Sequence, residues 1–507
     1  IRCIRNHIQE MQRKLVKYIP ENRPGAGLSG YCTDTEIVVD NVGLAIDIGN
    51  SETKAVVVLK NNTPKGFRFI QIRLPNVFSR DSGVPLTHDA FTTGKSWRFR
   101  SVGKFLNPRN VKVDMSSADY RIKGENIFDA GDTVSINKEA GRTYRPAGST
   151  RHKTRVDTTV LSLNLIFGEV YNLISEAYEI PLDDLKIIFS YVRGMVPPEE
   201  FGDNSDPESG QNLLMNIIRS IDRIDFIHPH IQKTITYKNP DSAITVVREG
   251  APGYFYARYG LTQQDSNSPL EVTLRKQYVD PQGDPNESIL AIGASIIVDM
   301  GSGTTDLLLM HNGKIVEKQH RSVSEGGATV ASRVKTLVGS KVDEVTEKNI
   351  IDGYATKGFN TRYDLSHYIN RGRTQVVNNL INDIHNLISS AGLSIDDIRT
   401  ILVIGGGAIP FTPTKKYESA EPLSSEVGKV KILSVGEIFQ TEIEDEAPYA
   451  KVIELPYEKN VERDSSGNVL YNGDGKPSEV KVTTDPRMMN VSGLATAITM
   501  LINKSLN

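Results

Sequence analysis

The chain has 507 residues, of which 38% are hydrophobic and 24% are charged, and its formal net charge is −3. A chain of this length exceeds what one hydrophobic core organises, so we expect at least two domains. The small net charge gives no global reason to expect nucleic-acid or membrane binding, and two cysteines, Cys3 and Cys32, are too few for a disulfide framework or a thiolate metal site. No apolar run is long enough to span a bilayer and no signal peptide is recognisable, which predicts a cytoplasmic protein.

The first 41 residues are predicted to form an N-terminal extension. Residues 1–19 carry apolar side chains at three- and four-residue spacing and basic side chains on the other face, which predicts an amphipathic helix. A segment with Pro, Gly and Ser follows as a linker. We expect the helix to pack on this protein or on a partner, and attachment to a membrane surface stays open as the alternative.

The predicted elements begin with a strand-rich segment at residues 42–75. The sequence GLAIDIGNSETKAVVVL at 43–59 predicts a β-hairpin, and residues 76–148 predict a small inserted subdomain with short strands. The next predicted elements are a helix at 157–174, a strand at 185–192, a helix at 211–224, a strand, turn and helix over 242–260, and a polar insertion at 262–288.

The second half of the chain begins with another hairpin, SIIVDMGSGTTDLLLM at 295–310. A glycine turn then opens a helix within 324–339, and a buried strand within 400–411 ends in three glycines. The remaining predicted elements are helices at 343–352 and 373–392, an insertion with a hairpin at 457–482, and a final helix at 488–504.

The two hairpins share one pattern, in which an apolar strand ends in Asp-x-Gly and a polar turn leads into a second apolar strand. Successive backbone N–H groups in such turns form a nest for anions, and a carboxylate at its mouth suits a hydrated cation. Two such nests facing each other would hold a polyphosphate from both sides. The expected ligand is a nucleoside triphosphate with Mg²⁺, and Asp47 and Asp299 are the candidate metal-binding residues.

The order and spacing of the two hairpins and the triple-glycine strand resemble the actin-like ATPases, the superfamily of actin, DnaK-type chaperones and sugar kinases. The resemblance covers roughly residues 42–456 and the last helix. It implies an α/β protein with a two-domain actin-like (ribonuclease H-like) fold and a nucleotide in the interdomain cleft. The implied parts are the 1–41 extension, domain I at 42–294 with its insertion at about 76–148, domain II at 295–485 with a helical insertion at about 336–392, and a C-terminal helix at 486–507 that returns to domain I.

The same resemblance implies the nucleotide-binding residues. The first phosphate element corresponds to Asp47, Gly49, Asn50, Ser51 and Lys54, and the second to Asp299, Gly301, Ser302, Gly303, Thr304 and Thr305. The adenosine element corresponds to Gly405, Gly406 and Gly407, and the nucleoside is flanked by Glu325, Gly326, Gly327 and Lys335. Two alternatives stay open here: Lys54 as a solvated strand residue, and Asp306 as a group that satisfies its own hairpin turn.

The candidate catalytic residues are Glu249 and Asp299. Glu249 lies where the strand at 244–247 turns into the corner at 250–253, and it resembles the interdomain carboxylate or amide that orients water in hydrolysing family members. Because phosphoryl transfer depends on positioning and charge stabilisation, one carboxylate aimed at the attacking water is sufficient. The alternative is a glutamate that caps the following helix.

Within the superfamily the chain most resembles the bacterial ParM-type plasmid-segregation actins, on IDIGNSETK, REGAPGYFYARYG and MNVSGLATAITML. The resemblance implies an ATPase that polymerises into helical filaments on binding ATP with Mg²⁺ and disassembles after hydrolysis. Such filaments move plasmid or phage DNA through a DNA-bound adaptor protein, so no direct nucleic-acid contact is expected. The alternatives are a membrane-tethered actin-like scaffold, a soluble kinase or phosphatase of the same fold, and GTP in place of ATP.

Overall fold

The computed structural model describes residues 36–49, 52–64, 68–80, 96–102, 111–114, 125–131, 145–146, 154, 157–226, 231–263, 270–275, 288–339, 363–408, 421–422, 430–454, 478–480 and 485–504. The predicted helices at 1–19 and 343–352, most of the 457–482 insertion, and Asn50 and Ser51 lie outside these residues. Within the described part, no helix combines the length and the apolar character needed to cross a bilayer.

Strands and helices follow one another along the described chain. The strands are β1 (Ile37–Ile48), β2 (Glu52–Val58), β3 (Phe69–Pro75), β4 (Val77–Arg80), β5 (Ser96–Val102), β6 (Val111–Asp114), β7 (Glu125–Gly131), β8 (Arg145–Pro146), β9 (Leu185–Val196), β10 (Arg223–Phe226), β11 (Ile231–Thr234), β12 (Thr236–Tyr237), β13 (Ile244–Arg248), β14 (Tyr259–Gln263), β15 (Glu271–Leu274), β16 (Ala294–Met300), β17 (Thr305–His311), β18 (Lys314–Val323), β19 (Tyr363–Asp364), β20 (Ile398–Ile404), β21 (Glu421–Pro422), β22 (Lys451–Glu454) and β23 (Ser478–Val480). The helices are α1 (Asp157–Tyr178), α2 (Pro198–Phe201), α3 (Gly210–Ser220), α4 (Pro240–Ala243), α5 (Ala251–Arg258), α6 (Gly327–Val338), α7 (Ser366–Ser390), α8 (Val435–Ile443) and α9 (Met489–Lys504).

The first main sheet has the strand order β12-β9-β1-β2-β3, and β13 also pairs with β9. Strands β1, β2 and β3 are antiparallel neighbours, whereas β9 runs parallel to β1. β1 is buried along almost its whole length, as expected for a central strand with both faces covered. One face carries Leu44 and Ile46 and packs against α1 in a continuous apolar core.

The second main sheet has the order β18-β17-β16-β20-β22. Alternate residues of β16 point to opposite faces. Ile296 and Val298 belong to a core shared with α6, α7 and α8. Ile297, between them, belongs to a third core that also contains residues of the first sheet.

This third core lies between the two main sheets and is filled by α5 and α9. Ala45 of β1 and Ile297 of β16 both contribute to it. The two helices approach each other closely at Gly493, where an added Cβ would lie only 1.8 Å from the carbonyl oxygen of Pro252. α9 therefore joins the two sheets into one packed unit, and its glycine permits the close helix–helix contact.

The smaller sheets show how parts of the predicted insertions fold. β4 to β8 form a seven-stranded sheet together with β10 and β11, which come from beyond residue 220. The helix predicted at 211–224 ends at Ser220, because the chain enters β10 at Arg223. The described part of the predicted 336–392 insertion includes α7, which packs in the core of the second main sheet. The exact domain limits stay predictions.

Candidate functional site

The first hairpin turn joins β1 to β2 and places an ion pair at its base. Asp47 and Lys54 are opposite each other in the strand register, and Lys54 Nζ lies 3.0 Å from Asp47 Oδ2. The turn is closed by a hydrogen bond from Gly49 N to Glu52 O, 3.1 Å long. The Lys54 side chain is only 16% exposed, so the alternative of a solvated strand lysine is wrong.

A residue that the sequence did not single out, Asn76, fixes the position of this turn. Its Nδ2 donates to Gly49 O at 2.6 Å, and its Oδ1 accepts from Ser162 Oγ of α1 at 2.8 Å. Asn76 is buried. The first turn is therefore tied to the helix behind the sheet through one asparagine, and no local sequence pattern marks that asparagine.

The second hairpin turn joins β16 to β17 and packs on the start of α6. Gly301 N donates to Thr304 O at 2.8 Å, while Ser302 and Gly303 at the tip are exposed. Gly327 N and Ala328 N then donate back to the turn, to the carbonyl oxygens of residues 301 and 302, at 3.0 and 2.7 Å. An added Cβ on Gly326 would lie 2.6 Å from Ser302 O, so this approach requires glycine. The turn and the helix N-terminus form one compact, amide-rich unit.

The triple-glycine segment lies beside this second turn. β20 runs parallel to β16, with Ile404 next to Asp299 in register. Gly405 has a φ of +91°, and an added Cβ would lie 2.6 Å from Asp299 Oδ1. An added Cβ on Gly407 would lie 2.4 Å from Met300 Cγ. Two of the three glycines thus allow the chain to pass directly against the Asp299 strand.

The charged groups of the two hairpins lie close enough to act on one another electrostatically. Burial, together with the charges of Asp306 and Asp47, raises the pKa of Asp299 to about 7, while the hydrogen bond from Asn490 and the charge of Lys54 oppose the rise. Burial alone would lower the pKa of Lys54, but Asp47, Glu52 and Asp299 together raise it. The structure therefore places Asp47, Lys54, Asp299 and Asp306 in one buried electrostatic cluster.

This cluster carries more negative than positive charge. It contains three carboxylates, from Asp47, Asp299 and Asp306, and one ammonium group, from Lys54, and each of the three aspartates is less than 10% exposed. Oδ1 of Asp47 has no hydrogen-bond partner within the described part of the protein. Such a site suits a hydrated divalent cation. Within the described ranges, no group of three or more His, Cys, Asp or Glu side chains is arranged so that it could hold a metal ion by itself.

Glu249 lies at the corner between β13 and α5. Its backbone N–H donates to Val196 O at 2.9 Å, and Gly250, with a φ of +87°, is the residue directly before α5. The preceding residue, Arg248, pairs with Glu317 of the second sheet at 2.6 Å. Through Arg248 the corner therefore contacts the second main sheet. The role of Glu249 toward water stays a prediction.

The residues expected beside the nucleoside occupy both ends of α6. The Glu325 carboxylate lies before the helix and accepts from Arg333 and Asn379, each at 2.6 Å. Thr305 Oγ1 donates to Glu325 O, which ties the second hairpin to the same segment. Lys335 is in the last turn of α6. Their contacts with a nucleoside stay predictions.

A second group that the sequence did not reveal lies next to Gly406. Arg73 of β3 contacts Glu52 at 2.6 Å and Asp485 at 3.1 Å, and Asp485 pairs with Arg487 at 2.5 Å. An added Cβ on Gly406 would be 3.4 Å from Arg487 Cγ. This charge network joins the first hairpin to the start of α9. Its partners are up to 412 residues apart in sequence, so no local motif indicates it.

Comparison with known proteins identifies the fold. Residues 297–415 match the family model described as the archaeal actin homologue MreB-like, C-terminal. The crystal structure of the actin-like protein Alp7A matches with 12% identity over 92% of this chain and 98% of that one, at a TM-score of 0.50. Apo psk41 ParM (14% identity, 93% and 99% coverage) and Bacillus thuringiensis ParM with ATP (10% identity, 92% and 99% coverage) both match at a TM-score of 0.47. No curated protein sequence matches the chain. The chain therefore has the two-domain actin-like fold that its three glycine elements predicted.

Proposed function

We propose that this protein is an actin-like nucleoside triphosphatase that binds ATP with Mg²⁺ between its two hairpin turns. The observation that carries the proposal is the meeting of Asp47, Lys54 and Asp299, from hairpins far apart in sequence, in one buried cluster. The match to a ParM structure with ATP agrees with this assignment.

In this proposal the cationic residue of the cluster contacts the phosphates and the carboxylates hold the metal ion. Lys54 offsets charge on the β- and γ-phosphates, and the backbone amides of Ser302 and Gly303, two exposed residues, face the phosphates from the other side. Asp47 and Asp299 would hold Mg²⁺, with water molecules between, since Mg²⁺ keeps much of its hydration shell. When bound, Mg²⁺ supplies charge neutralisation to the phosphates. Gly405, Gly406 and Gly407 admit the nucleoside close to the backbone.

Glu249 orients the attacking water at the corner before α5. Hydrolysis in this site would be coupled to assembly: the protein polymerises head to tail with ATP bound and disassembles after hydrolysis. The filament would segregate plasmid or phage DNA through a DNA-bound adaptor protein.

Two measurements test the proposal. Calorimetry should show ATP binding that requires Mg²⁺ and that is lost in Asp299→Asn but retained in Asp183→Asn, an exposed aspartate elsewhere in the same fold. Light scattering should rise when ATP and Mg²⁺ are added and should then decay as phosphate is released. Absence of nucleotide binding by the wild-type protein would refute the proposal, and flat scattering with steady phosphate release would indicate a soluble enzyme instead of a filament.

A further inference from the structure

Asn490, at the start of α9, makes side-chain hydrogen bonds to two different parts of the candidate site. Its Nδ2 donates to Asp299 Oδ2 at 2.5 Å, and its Oδ1 accepts from Gly253 N at 3.0 Å. The side chain is 6% exposed. Because the backbone N–H of Gly253 only donates, the end of the amide that faces it is the oxygen, and the nitrogen faces Asp299.

The bond to Asp299 determines how that carboxylate is presented. A hydrogen bond to an ionised group is stronger than one between neutral groups, so it holds Oδ2 in place. Oδ1 then lies next to Gly405, where an added Cβ would be 2.6 Å away. Asn490 therefore orients the aspartate assigned to Mg²⁺ without belonging to the set of charged groups itself.

The bond to Gly253 fixes the helix that follows Glu249. The first N–H groups of a helix have no partner within it, and Asn490 satisfies one of them in α5. The approach is close enough to require glycine, since an added Cβ on Gly253 would lie 2.8 Å from Asn490 Oδ1 and 2.3 Å from Ile404 Cδ1. The position of the Glu249 corner is therefore coupled to the same amide.

We propose that Asn490 is a positioning residue for nucleotide hydrolysis, an inference that rests on the function proposed above. One amide holds the metal-binding carboxylate and the helix after the water-orienting glutamate in a fixed relation. α9 packs against β1 and α5, whereas Asp299 belongs to the second sheet, so this relation is held between the two domains. Asn490 acts through Asp299 and Glu249.

The variant Asn490→Asp separates positioning from packing. It keeps the size of the side chain and an acceptor for Gly253 N, but it replaces the donor with a carboxylate that faces Asp299. We expect kcat to fall about ten- to a hundredfold and half-maximal Mg²⁺ concentration to rise about tenfold, as when a residue that orients a metal ligand is lost. ATP binding measured by calorimetry at saturating Mg²⁺ should change by less than about threefold, because the phosphate-facing amides remain.

Asn503→Leu in the full-length chain is the matched control. Asn503 lies on the same helix and donates a side-chain hydrogen bond to Leu270 O, away from the candidate site. This variant should keep the wild-type kcat and Mg²⁺ dependence, whatever happens to its thermal midpoint. If Asn490→Asp does not fold, Asn490→Ser takes its place with the same criteria.

The inference is overturned if kcat and Mg²⁺ dependence of the Asn490 variant stay within twofold of wild type. It is also overturned if Asn503→Leu reproduces the loss of kcat, because the effect would then be one of helix stability. A wild-type protein that binds no ATP would remove the proposed function itself. If the wild-type protein hydrolyses ATP and the Asn490 variant hydrolyses it equally fast, the proposed function stands and only the inference about Asn490 is refuted.

Discussion

Asp299→Asn is expected to stabilise the protein in the absence of Mg²⁺ while abolishing the proposed binding of ATP with Mg²⁺. The wild-type carboxyl is buried beside Asp306 and Asp47, and its pKa is raised from 3.8 to about 7. The unfolded chain therefore ionises this group at lower pH than the folded protein does, so stability falls as pH rises from about 4 to about 7 and stays low above that range. Asparagine cannot ionise, and its carbonyl oxygen can still accept from Asn490.

The size of the effect follows from the two pKa values. A pKa near 7 in place of 3.8 corresponds to about 4 kcal/mol at pH 8, and to about half of that near pH 5.5. At about 2 °C per kcal/mol for a large domain, Asp299→Asn should unfold roughly 8 °C higher than wild type at pH 8. The difference should shrink to roughly 4 °C at pH 5.5.

Differential scanning calorimetry in EDTA at the two pH values measures this directly. Asp183→Asn, at an exposed position, should leave the midpoint within about 1 °C of wild type at both pH values. Addition of ATP and Mg²⁺ should raise the midpoint of wild type and leave that of Asp299→Asn unchanged. The reasoning is refuted if the variant unfolds at or below the wild-type temperature at pH 8, or if its advantage is the same at pH 5.5.

Three further predictions concern other parts of the molecule. Glu249→Ala should polymerise yet release phosphate about ten- to a thousandfold more slowly, and wild-type turnover in a phosphate-release assay would disprove the role of Glu249. Asn76→Leu removes the anchor of the first turn at Gly49 and should weaken Mg²⁺-ATP binding about tenfold by calorimetry; unchanged affinity would show that the turn holds its shape alone. Gly493→Ala forces α5 and α9 apart and should cost about 1–3 kcal/mol, seen as a lower thermal midpoint, so an unchanged midpoint would contradict the packing described here.

The elements that could be predicted from the sequence are those with a local pattern. Both Asp-x-Gly hairpins, the strand before the triple glycine and the last helix form where their periodicity places them. The sequence places Lys54 on the returning strand, seven residues after Asp47, but it does not indicate the ion pair between them. These features depend on neighbours close in the chain, which the sequence displays directly.

The parts that could not be predicted depend on contacts between distant segments. Asn490 and Asp299 are 191 residues apart, and nothing beside either residue indicates that they meet. The helix predicted at 211–224 stops early because Ile224 and Phe226 are taken into a strand that pairs with β6 and β11. Tertiary pairing here overrides a helical pattern, and that competition is visible only once the partner strands are placed.

The position of α9 between the two main sheets has a consequence for how the protein folds during synthesis. A ribosome delivers the two main sheets first, and domains begin to fold as they emerge. The apolar surfaces of β1 and β16 that α9 covers then remain without their cover until residues 489–504 have been synthesised. During that interval the nascent chain exposes apolar surface that favours aggregation. The yield of folded protein in cells should therefore depend on chaperones that bind these faces of β1 and β16 until α9 covers them.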